Sequence, residues 1–203
     1  MKIYLTRHGQ SQWQVDRNDD DPNWNSELSE LGQQQATRLG HWLRDHEAFD
    51  VRSRIEIGAV RVSPMIRAQQ TAVPICEALG LTAVTDPHLH EATFWLGEHL
   101  PTAQSPFEAP KPAAPNEQYA QFKQQTKQAL ANLVEMAETQ NCPILAVAHG
   151  ALISSILREA AGSETVSFWI YNTSLNLIEW KRGRWHLVYL NSLDHLPPEM
   201  RTF

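Results

Sequence analysis

The sequence predicts an α/β fold, a three-layer α/β/α sandwich on a mostly parallel central sheet that ends in a C-terminal β-hairpin. Three observations predict it. Short apolar runs, Ile3-Tyr4-Leu5-Thr6, Ala59-Val60-Arg61-Val62, Ala83-Val84-Thr85 and Ile144-Leu145-Ala146-Val147, alternate with stretches of helical apolar spacing. Charged or imidazole side chains follow each run, as an open sheet with its site at the carboxyl ends of the strands requires. Towards the end, Leu175–Trp180 and Trp185–Leu190 are β-rich and joined by Lys181-Arg182-Gly183-Arg184, which reads as a hairpin.

Taken in order, Lys2–Thr6 is a buried strand followed by a polar loop carrying Asp16 and Asp19-Asp20-Asp21-Pro22. These acids fit no calcium-loop spacing and read as a solvated turn. Ser29 caps a helix to about His46, with Leu31, Leu39, Trp42 and Leu43 on one face. Residues 57–62 form the next strand. Ser63 as cap and Pro64 at the first helical position then start a helix ending near Leu79, closed by Gly80 and bent at Pro74. Six of the twelve prolines fall between residues 86 and 115, so this stretch is an extended excursion rather than helix or ladder. Asn116 caps a long helix to about Gln140. The strand 144–148 leads into a helix from about Ala151 to Ala161, ended by Gly162.

At 203 residues the chain suits a single domain spanning 1–203. Hydrophobic residues at 42% and charged residues at 20% describe a globular chain. A net charge of −6 without a basic stripe argues against a nucleic-acid partner. No apolar run approaches membrane-spanning length, and a first strand beginning at Lys2 leaves no room for a signal peptide; a cytoplasmic protein without a membrane partner is expected. Cys76 and Cys142 have neither metal spacing nor the arginine six residues on that a cysteine-phosphatase loop needs. Oligomeric state is not written in the sequence.

The chemistry concentrates at the strand ends. Arg7-His8-Gly9 combines a planar fork of donors, an imidazole that is neutral near pH 7, and a residue that lets the backbone turn sharply. Ser63-Pro64-Met65-Ile66-Arg67-Ala68-Gln69-Gln70-Thr71, Leu89-His90-Glu91 and Ala148-His149-Gly150 follow the other three runs. With Leu28-Ser29-Glu30-Leu31-Gly32 and Asp194-His195, they make the chain resemble, from residue 3 to residue 196, the histidine phosphatase superfamily, also called phosphoglycerate mutase-like.

That resemblance implies a phosphatase that carries the phosphoryl group on His8, with Arg7, Arg67 and His149 around its oxygens and Glu91 as general acid and base. His149 is expected to serve best when protonated. Gln14 stands where the family often has asparagine, keeping the amide donor on a longer arm. Glu98 is the competing acid. No metal and no other cofactor is implied, and His88, His90 and His99 read as loop histidines. Trp13, Trp24 and Trp95 flank these segments and are candidates for specificity; the remaining tryptophans read as core. The expected partner is a small phosphorylated metabolite. Two alternatives stay open: a phosphoprotein (phosphohistidine) phosphatase, and a 2,3-bisphosphoglycerate-dependent phosphoglycerate mutase. The second is disfavoured, because Glu91-Ala92-Thr93-Phe94-Trp95 lacks the cations that would meet a phosphoglycerate carboxylate. A non-catalytic binding protein would not need both nucleophile and acid.

Overall fold

The computed structural model describes residues 1–16, 25–45 and 55–203. Six strands form one sheet: β1 (Lys2–Arg7), β2 (Ala59–Val62), β3 (Ala83–Thr85), β4 (Ile144–Ala148), β5 (Leu175–Lys181) and β6 (Arg184–Ser192). Their order is β3-β2-β4-β1-β5-β6. The first four neighbours run parallel, β5 runs antiparallel to β1, and β6 pairs antiparallel with β5. The turn between β5 and β6 holds Arg182 at φ 53° and Gly183 at φ 75°, the left-handed pair that a two-residue hairpin demands.

The helices are α1 (Gln12–Asp16), α2 (Glu30–Asp45), α3 (Ile66–Leu79), α4 (Glu117–Thr139) and α5 (Gly150–Ala161). Strand alternation sorts side chains between two layers. Tyr4, Val60, Val62, Leu145, Val147 and Leu175 meet Leu39, Trp42 and Leu43 of α2 and Ala68, Ala72 and Ile75 of α3. On the opposite face, Ile3, Leu5, Ala146 and Ala148 meet Phe122, Ala129 and Leu133 of α4 and Leu152, Ile153 and Ile156 of α5. Burying each such side chain contributes roughly 1.5–3 kcal/mol, so both layers are driven onto the sheet.

Local chemistry explains most element ends. Ser29 accepts from Gly32 N at 3.1 Å, and Asn116 accepts from Tyr119 N at 2.9 Å, both as caps. Three expectations need correction. The loop after β1 contains the short helix α1, because Ser11 offers both its carbonyl and its hydroxyl to Gln14 N. The helix expected from Pro64 starts two residues later, at Ile66. Ser63 is drawn into the site instead, and Asn25 accepts from Ile66 N at 2.9 Å in place of a local cap. The excursion is not wholly extended: Pro87–Leu89 and Leu96–His99 form 3₁₀ turns, and Thr102 and Lys111 bridge antiparallel. The helix α3 runs on through Pro74. Asp19–Pro22, Trp24 and His46 lie outside the described residues.

Two backbones press together below the first strand. A Cβ on Gly9 would collide with the Gly32 carbonyl, and one on Gly32 with the Gln10 carbonyl. Gln35 strengthens this junction: it accepts from Gln10 N at 2.8 Å and donates to the Met200 carbonyl at 2.7 Å.

Candidate active site

Sheet register alone assembles the centre. Arg7 pairs with Ala148, and Val62 with Val147, so His8, Ser63 and His149 leave the ends of three adjacent strands together. The chain crosses from β1 to β2 and later returns with β4 between them, which makes this a topological switch point. His8 is 3% exposed and His149 is fully buried, their ring centroids 5.1 Å apart.

The His8 tautomer follows from its partners. Its Nδ1 lies 2.6 Å from the Gly9 carbonyl, which can only accept, so the proton sits on Nδ1. The lone pair is then on Nε2, and Arg67 Nε donates to it at 3.0 Å. Burial, followed by the charges of Arg67, His149 and Arg7, holds His8 well below the ordinary histidine range. A neutral imidazole is what a nitrogen nucleophile needs.

Arg7 donates through Nη1 to the Ile170 carbonyl at 2.7 Å, while its buried Nε has no protein partner. Burial lowers both Arg7 and Arg67 to about 10, against the opposing pull of Glu91; both stay cationic near neutrality. Thr71 fixes Arg67 to the loop after β1, donating to the Arg67 carbonyl at 2.7 Å and accepting from Gly9 N at 3.0 Å.

In the free protein the surroundings of His149 oppose its protonation. Burial, then Arg67, His90 and Arg7, keep its pKa well below the usual range. Its Nε2 is 2.7 Å from Ser63 Oγ, and its buried Nδ1 has no protein partner.

Glu91 closes the site from the other side. Its Oε1 accepts from Ala92 N at 3.0 Å and Leu152 N at 3.1 Å, and its Oε2 accepts from Ala151 N at 3.1 Å. The carboxylate thus caps α5 from outside the helix, where the exposed N–H groups and the helix dipole favour an anion. Gln125 of α4 steadies this segment by donating to the carbonyls of His88 and His90 at 3.0 and 2.8 Å. Among the described residues, no three His, Cys, Asp or Glu side chains are grouped to hold a metal ion.

Gln14 is engaged with Asn172: its Nε2 donates to Asn172 Oδ1 at 3.1 Å, and its Oε1 receives Asn172 Nδ2 at 3.2 Å. Asn172 also donates to the His8 carbonyl at 2.9 Å. Asn172, Gln125 and Ser63 are positioning residues that sequence reasoning missed. Only Ser63 lay in a quoted motif, and there it was read as a helix cap. Trp13 is partly buried on α1, whereas Trp95 turns outward, 74% exposed, and Phe94 beside it packs on Phe122. Two tryptophans expected in the core are on the surface: Trp169 (67% exposed) and Trp180 (41%).

Buried neutral histidines make the fold acid-sensitive. The unfolded chain takes up protons below pH 6.5, whereas His8 and His149 resist protonation in the fold and His195 protonates there only near pH 4. Stability is therefore full above pH 6.5 and falls as pH drops towards 4. His195 alone accounts for about 3 kcal/mol of that loss. Urea unfolding midpoints between pH 7.5 and 4.5 should show the decline, with a shallower slope in His195→Gln. A flat profile would refute it.

Comparison with known proteins shows the family. The model of the histidine phosphatase superfamily (branch 1) matches residues 3–193. An uncharacterized phosphatase, PhoE, of Bacillus subtilis is 26% identical over 197 residues, 96% of each chain. A probable phosphoglycerate mutase, GpmB, of Erwinia tasmaniensis is 27% identical, covering 91% of this chain and 87% of its own. Among solved structures, phosphoserine phosphatase from Entamoeba histolytica in complex with 3-phosphoglyceric acid superposes with a TM-score of 0.71 at 20% identity, covering 97% of this chain and 99% of that one. No helix among the described residues is long and apolar enough to cross a membrane. The fold, the clustered strand ends and the match across 3–193 make one conclusion: this chain belongs to the histidine phosphatase superfamily, branch 1.

Proposed function

We propose that the chain is a metal-independent phosphatase that hydrolyses a small organic phosphate monoester through a phosphohistidine on His8. One observation carries this reading. His8 Nε2, whose only donor partner among the described residues is Arg67 Nε, belongs to a buried cluster with two donor nitrogens, Arg7 Nε and His149 Nδ1, that no protein group takes up. A buried polar atom without a partner is costly, and phosphoryl oxygens satisfy both.

His8 Nε2 attacks phosphorus and the ester P–O bond breaks. Arg7 and Arg67 hold the non-bridging oxygens, and Arg67 Nε turns from the imidazole to the phosphoryl group. Ser63 Oγ accepts from Met65 N at 3.3 Å, so its hydroxyl proton is free to go to His149 Nε2. Neutral His149 then carries its own proton on Nδ1 and donates without becoming an imidazolium. The Gly9 carbonyl steadies the Nδ1–H of phosphorylated His8. Glu91, carrying a proton when the substrate is bound, gives it to the departing oxygen; the carboxylate so formed takes one from the water that cleaves the P–N bond and is thereby restored to the acid. The second amide hydrogen of Gln14 is a further donor to the phosphoryl group.

The test is to quench the protein during turnover of ³²P-labelled substrate. Label should stay on the chain in alkali and leave in acid, as a phosphoramidate does; label on serine or cysteine overturns the mechanism. Activity should survive chelators and yield competitively to vanadate, because the guanidinium charges already occupy the role of a metal cation. Loss of activity on chelation, with rescue by one divalent ion, would refute metal independence.

A further inference from the structure

We infer that the group esterified to the phosphate is flat and apolar, an aryl or heteroaryl group, received on an aromatic shelf of Trp169, Tyr171 and Phe203 beside Arg7. This rests on the phosphatase reading above and specifies its substrate class.

The shelf arises from a period-two alternation after α5. Ile170 is 2% exposed and Phe168 packs on the core beneath the sheet, so their neighbours Trp169 and Tyr171 must face outward, at 67% and 36% exposure. Phe203 joins them from further along the chain, 53% exposed. It stacks on Trp169 at 5.2 Å and 29° and meets Tyr171 edge-on at 5.5 Å.

Its position relates the shelf to chemistry. The Ile170 carbonyl, between the two outward rings, accepts from Arg7, and the Arg7 guanidinium lies 5.3 Å from the Phe203 centroid. A phosphate held by Arg7 therefore presents its substituent next to these rings.

The shelf is also braced. Asn191, itself at φ 53°, donates to the Trp169 carbonyl at 2.5 Å and accepts from Tyr171 N at 3.1 Å. Asn172 N donates to the Thr202 carbonyl at 3.0 Å and ties Phe203's segment to the same place. Single exposed aromatics are ordinary; a contiguous, rigid trio beside a phosphate-binding cation marks a recognition surface. A polar ester group such as a hydroxy acid would leave these rings in water, whereas a planar ring gains stacking on them.

Non-hydrolysable phosphonates separate this proposal from the catalytic one. By calorimetry on the intact protein, phenylphosphonate should bind ~10-fold or more tightly than methylphosphonate, the discrimination expected of one good apolar contact. Trp169→Ala should bring the two within ~2-fold, Trp169→Phe should restore most of the preference, and Trp180→Ala should leave it intact. Equal binding of both phosphonates to the wild type overturns the shelf and leaves the phosphatase standing. A preference that survives in both Trp169→Ala and Phe203→Ala overturns it as well, and moves recognition to Trp13 or Trp95. Binding of neither phosphonate, nor of vanadate, would overturn both readings.

Discussion

His8→Ala is expected to reduce phosphate release by at least ~10⁴-fold, since removing a covalent carrier forfeits the whole two-step route and leaves only binding and electrostatics. The cut is clean because His8 holds little of the core together: among the described residues its ring hydrogen-bonds to Gly9 O and Arg67 Nε. The strand pairing that positions it runs through backbone, His8 N donating to the Ala148 carbonyl at 3.0 Å, and alanine keeps that bond. Circular dichroism and the urea midpoint should thus match the wild type while turnover and the acid-labile label both vanish. Activity retained within ~10-fold would show that another group carries the phosphoryl.

Glu91→Gln should slow alkyl phosphates by at least ~10²-fold, the usual scale of general acid catalysis. An alkyl ester leaves as a strongly basic alkoxide, whereas p-nitrophenyl phosphate leaves as a stabilised phenolate and needs little proton donation. In single turnovers, which observe only phosphorylation of His8, p-nitrophenyl phosphate should therefore suffer much less. Steady-state rates would blur this contrast, because in the proposed mechanism the same carboxylate activates water in the second step. The substitution also weakens the cap on α5: the amide keeps one accepting oxygen where the carboxylate used two. A stability loss of about 1 kcal/mol should accompany it. Equal losses for both leaving groups would refute Glu91 as the acid and send the search to Glu98.

The parts of this molecule that sequence reveals are those whose signal is local. Strand ends read directly, since the run Ile3–Thr6 and the residues after it are contiguous, and parallel register then brings His8 and His149 side by side. The cap at Asn116 and the turn at Arg182-Gly183 are similarly self-contained. What stays hidden depends on a partner far along the chain. Ser63 looks like a helix cap until His149, from β4, claims its hydroxyl. Asn172 belongs to no motif, yet it joins Gln14 to the backbone of His8 across 158 and 164 residues. Trp169 sits in an apolar run, Phe168-Trp169-Ile170-Tyr171, that reads as interior; only the alternation seen in the fold turns half of it to the surface. For His149 the opposing arginines are legible in the motifs, but the larger cause, burial, is not.

The seam between Gly9 and Gly32 reverses an ordinary rule of protein engineering. Alanine in place of a helical glycine normally stabilises by roughly 1 kcal/mol, and Gly32 lies in the first turn of α2, where such a change would be recommended. Here the added methyl has only the Gln10 carbonyl to occupy, two residues from His8. The helix forgoes its intrinsic preference so that main chain can lie against main chain. The contour of the loop after β1 is thereby set by the absence of two methyl groups.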